Sequence, residues 1–222
     1  MENTINQRIL TLKHKILTIA QQSNRTSKAL PQLIAVTKLV PPHIIEEAIL
    51  AGQKIFAENK IQEAITKYPE LRNKYPEIEL HFIGKLQSNK TFEAVKYFDV
   101  IQTIDREKIA QYLAQEMIKQ QKFLPCYIQI NTGEEPQKAG IKPDAAIDFI
   151  NKCKNNYKLN IQGLMCIPPA KENPKPHFEM LSSIAKKTNL EYLSMGMSQD
   201  YELAIAAGAT HIRIGTAIFG KR

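Results

Sequence analysis

The chain has 222 residues, 43% hydrophobic and 23% charged, with a formal net charge of +8. These values describe a folded soluble protein and exclude a disordered or low-complexity chain. No apolar run approaches the roughly 20 residues a membrane span needs, and the polar start from Met1 to Ile9 has no signal-peptide core, so a cytoplasmic location is expected.

Ile9, Leu12, Ile16 and Ile19 recur at helical spacing and predict an amphipathic helix over 6–22, in an N-terminal segment 1–25 packed on the rest of the domain. Beyond it, short β-rich runs alternate with helical patterns. The first strand is expected at 33–36, followed by a helix over 42–51 with Pro42 at its start and Gly52 just past its end. Strands come next at 55–57, 79–83 and 100–103. Asp105 reads as the N-cap of a helix over 105–121 that carries Ile109, Leu113 and Met117 on one face. A strand at 126–130 precedes a helix over 143–153 opened by Pro143. A strand at 160–164 precedes the Pro168-Pro169 break and a helix over 173–188. The last units are a strand at 192–194, a helix over 200–207 closed by Gly208, and a strand at 211–214.

Eight strands separated by helices imply a parallel sheet with helical crossovers. Eight units in a chain of this length favour one closed (β/α)8 TIM barrel of the α/β class, a single domain over 1–222 with an extra N-terminal helix. An open doubly wound sheet is the alternative, and its usual GxGxxG turn is missing.

Unusual residues fall just after the expected strands, positions that converge on one rim of such a barrel. If the first strand extends far enough, Ile34, Val36 and Lys38 share its inner face. A desolvated lysine is a neutral amine able to condense with an aldehyde; the plainer reading is a strand-end lysine reaching solvent. Ala57-Glu58-Asn59 and His81-Phe82-Ile83-Gly84 end the second and third strands, as functional groups or as simple polar capping. After the seventh strand, Ser194-Met195-Gly196-Met197-Ser198 offers a glycine for close approach of a ligand and a serine before a helix, either an anion site or an ordinary cap. After the eighth, Gly215-Thr216 can present backbone N–H groups and a hydroxyl to a phosphate. Arg213 lies inside that strand and needs a partner, for instance a core carboxylate. A phosphate anchor facing a lysine fits pyridoxal 5′-phosphate (PLP), and it equally fits a phosphosugar aldolase.

The cysteines Cys126, Cys153 and Cys166 are scattered, and the histidines show no HxH or HExxH spacing, so neither disulfides nor a metal are expected. The lysines are spread along the chain without stacking aromatics, which favours a solvated basic surface over nucleic-acid binding.

The stretches Ala35-Val36-Thr37-Lys38, His81-Phe82-Ile83-Gly84-Lys85-Leu86-Gln87-Ser88-Asn89-Lys90, Gly163-Leu164-Met165-Cys166-Ile167-Pro168, Leu193-Ser194-Met195-Gly196-Met197-Ser198-Gln199-Asp200 and Arg213-Ile214-Gly215-Thr216-Ala217-Ile218-Phe219-Gly220 run in order along the chain. Together they resemble the YggS/PROSC family of PLP homeostasis proteins, related in fold to the N-terminal barrel of alanine racemase. The resemblance implies that Lys38 carries PLP as a Schiff base. It implies that Ser198, Gly215 and Thr216 hold the phosphate and that Arg213 faces the pyridine nitrogen. Asn59, Ile83, Met165 and Met197 would line the pocket. Ala57 and Leu80 stand where the family has glycine and tryptophan.

An arginine at the pyridine nitrogen cannot accept a proton, so Cα chemistry is weaker in this arrangement. Alanine racemase also has a second domain that supplies a tyrosine acid/base, for which this chain has no counterpart. The expected function is therefore PLP storage, masking or delivery by a monomeric non-enzyme with no catalytic residues, with PLP-dependent apo-enzymes as possible recipients. The alternative is a low-activity amino-acid racemase. Lys85, Lys90 and Lys138 are candidates for transient contacts and are more simply surface lysines.

Overall fold

The computed structural model describes residues 4–23 and 30–220. Eight parallel strands close into a barrel in sequence order: β1 (Gln32–Val36), β2 (Ile55–Glu58), β3 (Glu79–Phe82), β4 (Val100–Ile104), β5 (Pro125–Ile130), β6 (Asn160–Cys166), β7 (Tyr192–Ser194) and β8 (His211–Ile214). β1 pairs with β8 as well as β2, placing Ile34 opposite Arg213 and Val36 opposite Ala57. The closed (β/α)8 barrel and its leading helix are thus as expected, and the open sheet is excluded.

Helix α1 (Ile5–Gln22) opens with a capping box in which the Thr4 side chain accepts from the Gln7 N–H, and buries Ile9, Leu12, Ile16 and Ala20. It packs against α2 (Pro42–Leu50) and two helices near the C-terminus, α8 (Tyr201–Ala206) and α9 (Thr216–Phe219). Arg8 Nη1 donates to the Ile218 carbonyl at 3.1 Å, tying α1 to α9. Residues 1–3 and 24–25 of the expected N-terminal segment lie outside the described residues. The remaining helices are α3 (Ile61–Lys74), α4 (Thr91–Tyr97), α5 (Glu107–Lys119), α6 (Ala146–Asn155) and α7 (Pro174–Lys187).

The helices cover the outer face of the sheet, and the main apolar core lies between the two layers. The barrel interior divides by chemistry. Ile34, Val36 and Ala57 form one small apolar cluster, with Ile55 and Ile83 against it; Val100, Tyr127 and Met165 form another. The rest of the interior is polar, because His81, Gln102, Ser194, His211 and Arg213 occupy alternate inward positions on their strands and are all buried.

Three local expectations are corrected. Asp105 does not cap a helix: its carboxylate pairs with the Arg106 guanidinium at 2.5 Å, and α5 begins at Glu107 with Arg106 at the N-cap. Ser198 does not cap α8: that helix begins at Tyr201 after Asp200, whose Oδ1 accepts the Met197 N–H at 2.6 Å and closes the turn containing Ser198. β1 stops at Val36, so Lys38 does not continue its inner face; it lies exposed in the next turn, where the Val40 N–H bonds the Thr37 carbonyl at 2.9 Å.

Candidate cofactor site

In a closed parallel barrel every strand delivers its C-terminal end to one rim. Lys38 follows β1, Asn59 follows β2, Ile83 follows β3, Met197 and Ser198 follow β7, and Gly215 and Thr216 follow β8. Met165, near the end of β6, and Arg213, within β8, lie inside the wall just below. The topology therefore gathers all nine predicted residues at one end of the barrel. Met165 and Arg213 are buried, whereas Lys38, Met197 and Thr216 are exposed.

Arg213 has neutral partners where sequence reasoning suggested a carboxylate. Nη1 donates to Ser194 Oγ at 2.7 Å and Nη2 to the Cys166 carbonyl at 2.9 Å. Ser194 Oγ donates to Gln102 Oε1 at 2.6 Å, and Gln102 Nε2 meets His81 Nδ1 at 2.6 Å. The other ring nitrogen, His81 Nε2, lies 2.5 Å from Glu79 Oε1 at the opposite end of the barrel. Because Arg213 can only donate, the chain has one consistent polarity: Arg213 to Ser194 to Gln102 to His81 to Glu79. That polarity assigns the imidazole proton of His81 to Nε2. Burial pulls the guanidinium of Arg213 below its usual range, and the neutral hydrogen-bond partners orient the group without neutralising it.

Around the rest of the rim, two glycines and one orphan acceptor shape the walls. Gly196 has φ +90°, and a Cβ there would sit 2.5 Å from the Ala204 Cβ, so the backbone of the β7 turn lies flush against α8. A Cβ on Gly84 would come within 1.9 Å of the Asn59 carbonyl oxygen, so β2 and β3 can end side by side only with glycine at this position. Asn59 Oδ1 is buried without a hydrogen-bond partner. Asn59 also lines a cavity of about 250 Å³ with Lys60, Phe82, Lys85 and Lys90. Lys90 is paired with Glu93 at 2.7 Å, and Lys138 with Glu135 at 2.5 Å.

Lys67, Glu63 and Tyr68, which sequence reasoning passed over, lie behind Lys38; Lys67 and Tyr68 meet Thr37, and Lys67 meets Glu58, both of which stand in stretches it had singled out. Lys67 Nζ donates to the Thr37 carbonyl at 2.9 Å, to Glu58 Oε1 at 3.1 Å and to Glu63 Oε2 at 2.5 Å. Tyr68 OH and Glu58 Oε1 both lie 2.7 Å from Thr37 Oγ1. Burial pushes the Glu58 carboxyl above its ordinary range, against the opposing pull of its Thr37 and Lys67 hydrogen bonds. For Glu63 and Lys67 the only sequence signal was their spacing of four on a helix, which reads as a routine surface ion pair.

Comparison with known proteins gives a consistent answer. Residues 10–222 match the family described as alanine racemase, N-terminal domain. A pyridoxal phosphate homeostasis protein from Pasteurella multocida is 38% identical over 229 aligned residues, covering 99% of this chain and 98% of that protein. PipY from Synechococcus elongatus, solved without PLP, superposes with a TM-score of 0.88 at 34% identity, covering 98% of this chain and all of PipY. Its structure with PLP bound gives 0.82 at 32% identity with the same coverage. An alanine racemase from Clostridium difficile, at 13% identity and a TM-score of 0.70, shares the fold; this chain covers 56% of its length. The chain belongs to the alanine racemase N-terminal domain family and, within it, to the pyridoxal phosphate homeostasis proteins.

Proposed function

We propose that this chain binds pyridoxal 5′-phosphate covalently at Lys38 and serves in PLP homeostasis, as a cytoplasmic monomer that stores, masks or delivers the cofactor to apo-enzymes without catalysing a reaction of its own. The observation that carries the reading is the convergence on one rim of an exposed primary amine, the Ser198 and Gly215-Thr216 turns, and a buried arginine with only neutral partners. The residues present fit the group. Asn59 Oδ1 is an orphan acceptor suited to a hydroxyl, and Met165 and Ile83 offer apolar wall.

When bound, PLP supplies an aldehyde that condenses reversibly with a primary amine. Lys38 supplies that amine from a turn rather than from the barrel interior. Ser198, Thr216 and the backbone N–H groups beside Gly215 would hold the phosphate with neutral donors, as such rim turns commonly do. Arg213, held as a donor by Ser194, would contact a ring nitrogen without giving up its proton. Such a site grips the cofactor and leaves its ring a weak electron sink, which suits holding better than Cα chemistry. The naming of relatives as homeostasis proteins supports the same reading.

The test is an absorbance spectrum with PLP before and after borohydride, followed by peptide mapping. The protein is expected to be yellow and to retain a label on Lys38, and Lys38→Ala to retain none. A label confined to Lys85 or Lys138, or no label after excess PLP and reductant, overturns the reading. Rapid α-proton exchange on alanine or serine that vanishes in Lys38→Ala would make the protein a racemase instead.

A further inference from the structure

The two peptide units that flank Lys38 are both hydrogen-bonded to the same ion pair. Before Lys38, the Thr37 carbonyl accepts from Lys67 Nζ at 2.9 Å. After it, the Leu39 N–H donates to Glu63 Oε2 at 2.7 Å. Glu63 and Lys67 stand one turn apart on α3 and bond each other at 2.5 Å. Lys67 completes its three donors on Glu58, the last residue of β2, which also accepts from Thr37 Oγ1. Lys67 is buried with its ammonium fully used, an expensive arrangement for a residue type that is rarely inside unless paired. Leu39 has φ +60°, a left-handed conformation that disfavours a leucine, and its side chain is 68% exposed, so no packing of its own holds it there. The Val40 N–H bond to the Thr37 carbonyl closes a turn around Leu39, and the Glu63 carboxylate on the Leu39 N–H adds a second restraint from α3. Burial raises the Glu63 carboxyl, but the Lys67 and Leu39 hydrogen bonds outweigh it and hold the group below its ordinary range, ionised as the clamp requires.

We propose that Lys67 and Glu63 are positioning residues for Lys38, clamping the backbone on both sides of it so that its amine meets the aldehyde of PLP in one fixed orientation. The inference rests on the assignment of Lys38 as the attachment point. It places control of covalent capture on α3, outside the barrel, while the phosphate and ring contacts come from other strands. Loosening the clamp therefore separates two quantities: covalent capture weakens and non-covalent seating persists.

The test compares PLP with 4′-deoxypyridoxine 5′-phosphate, which keeps the ring and phosphate but has no aldehyde. Two variants are used. Glu63→Gln is close to isosteric and breaks the ion pair. Lys67→Met with Glu58→Gln removes the Lys67 half of the clamp, keeps the Leu39 N–H bond to Glu63, and avoids leaving the fully buried Glu58 carboxylate without its cation. For each variant, PLP affinity and the rate of reductive trapping at Lys38 are expected to fall about tenfold or more, in line with loss of a charged hydrogen bond. Affinity for the deoxy analogue is expected to change less than about twofold. Equal losses for both ligands would show that α3 merely supports the fold, and unchanged trapping would show that Lys38 needs no clamp; either overturns the inference. If the wild-type protein binds the analogue but is never trapped at Lys38, it is the attachment point that fails, and the clamp with it.

Discussion

His211 occupies the inner face of β8 two residues before Arg213, ringed by Tyr127 at 5.8 Å, Tyr192 at 5.5 Å and His81 at 6.0 Å between centroids. Burial first, then the neighbouring His81 and Arg213, lower its pKa to about 3, with Glu79 opposing. An unfolded histidine titrates near 6.5. Between those values the unfolded chain takes up a proton that the folded chain refuses, so this residue contributes stability above about pH 6.5 that is lost as pH falls toward 3. One such group removes about 1.4 kcal/mol per pH unit in that window. We therefore expect the unfolding free energy of the wild-type protein to drop about 2 kcal/mol more between pH 7 and pH 5 than that of His211→Asn, measured by urea titration. Equal drops in the two proteins would remove His211 from the account. Arg213 shows the complementary case. It is a buried cation that stays charged because its partners are dipoles in series, ending on a carboxylate at the far end of the barrel.

The ends of β2 and β3 are fitted to each other through Gly84. A methyl group there overlaps the Asn59 carbonyl, and neither backbone has a flexible side chain to give way. Gly84→Ala is expected to lower stability by roughly 2–3 kcal/mol and to displace Asn59. A thermal melt and PLP titration check this, and wild-type values in both would mean the two strand ends move apart freely. Glycine at this point stood within the motif that carries the family resemblance, but its spatial reason is invisible in one dimension. The alternation of β-rich and helical runs, and the residues just past each strand, were legible because a parallel barrel repeats one unit eight times and sends every strand end to one rim. The Glu63/Lys67 clamp was not legible, since an i,i+4 pair looks alike on a solvated helix face and against a buried turn. Neither was the line from Arg213 to Glu79. His81, Gln102 and Ser194 come from three strands, and only closure of the barrel shows that they touch. Asp105 failed as a cap because its arginine neighbour competes for the same carboxylate.

At the scale of the molecule, the sheet closes on itself and leaves no edge strand among the described residues to pair with another chain. No helix among the described residues is long and apolar enough to cross a membrane. Cys126, Cys153 and Cys166 are free and buried, and burial pushes the thiols of Cys153 and Cys166 up to about 12, with Arg213 opposing at Cys166. All three are expected to resist iodoacetamide in the native protein and to react together once urea unfolds it, as a mass shift would report. Selective labelling of Cys166 under native conditions would instead reveal opening of β6 beside Arg213.

The end of the barrel away from the rim is filled by His81, His211, Gln102 and Tyr127, all buried, with Gly163 letting Tyr127 lie close to Tyr192. Among the described residues, that end of the barrel is thus closed by packed side chains. If PLP binds at the rim as proposed, it would arrive and depart on the same side, beside the exposed Lys38 and Met197. On the proposed function, a protein that takes up the cofactor would have to approach that threshold, since the far end of the barrel is packed.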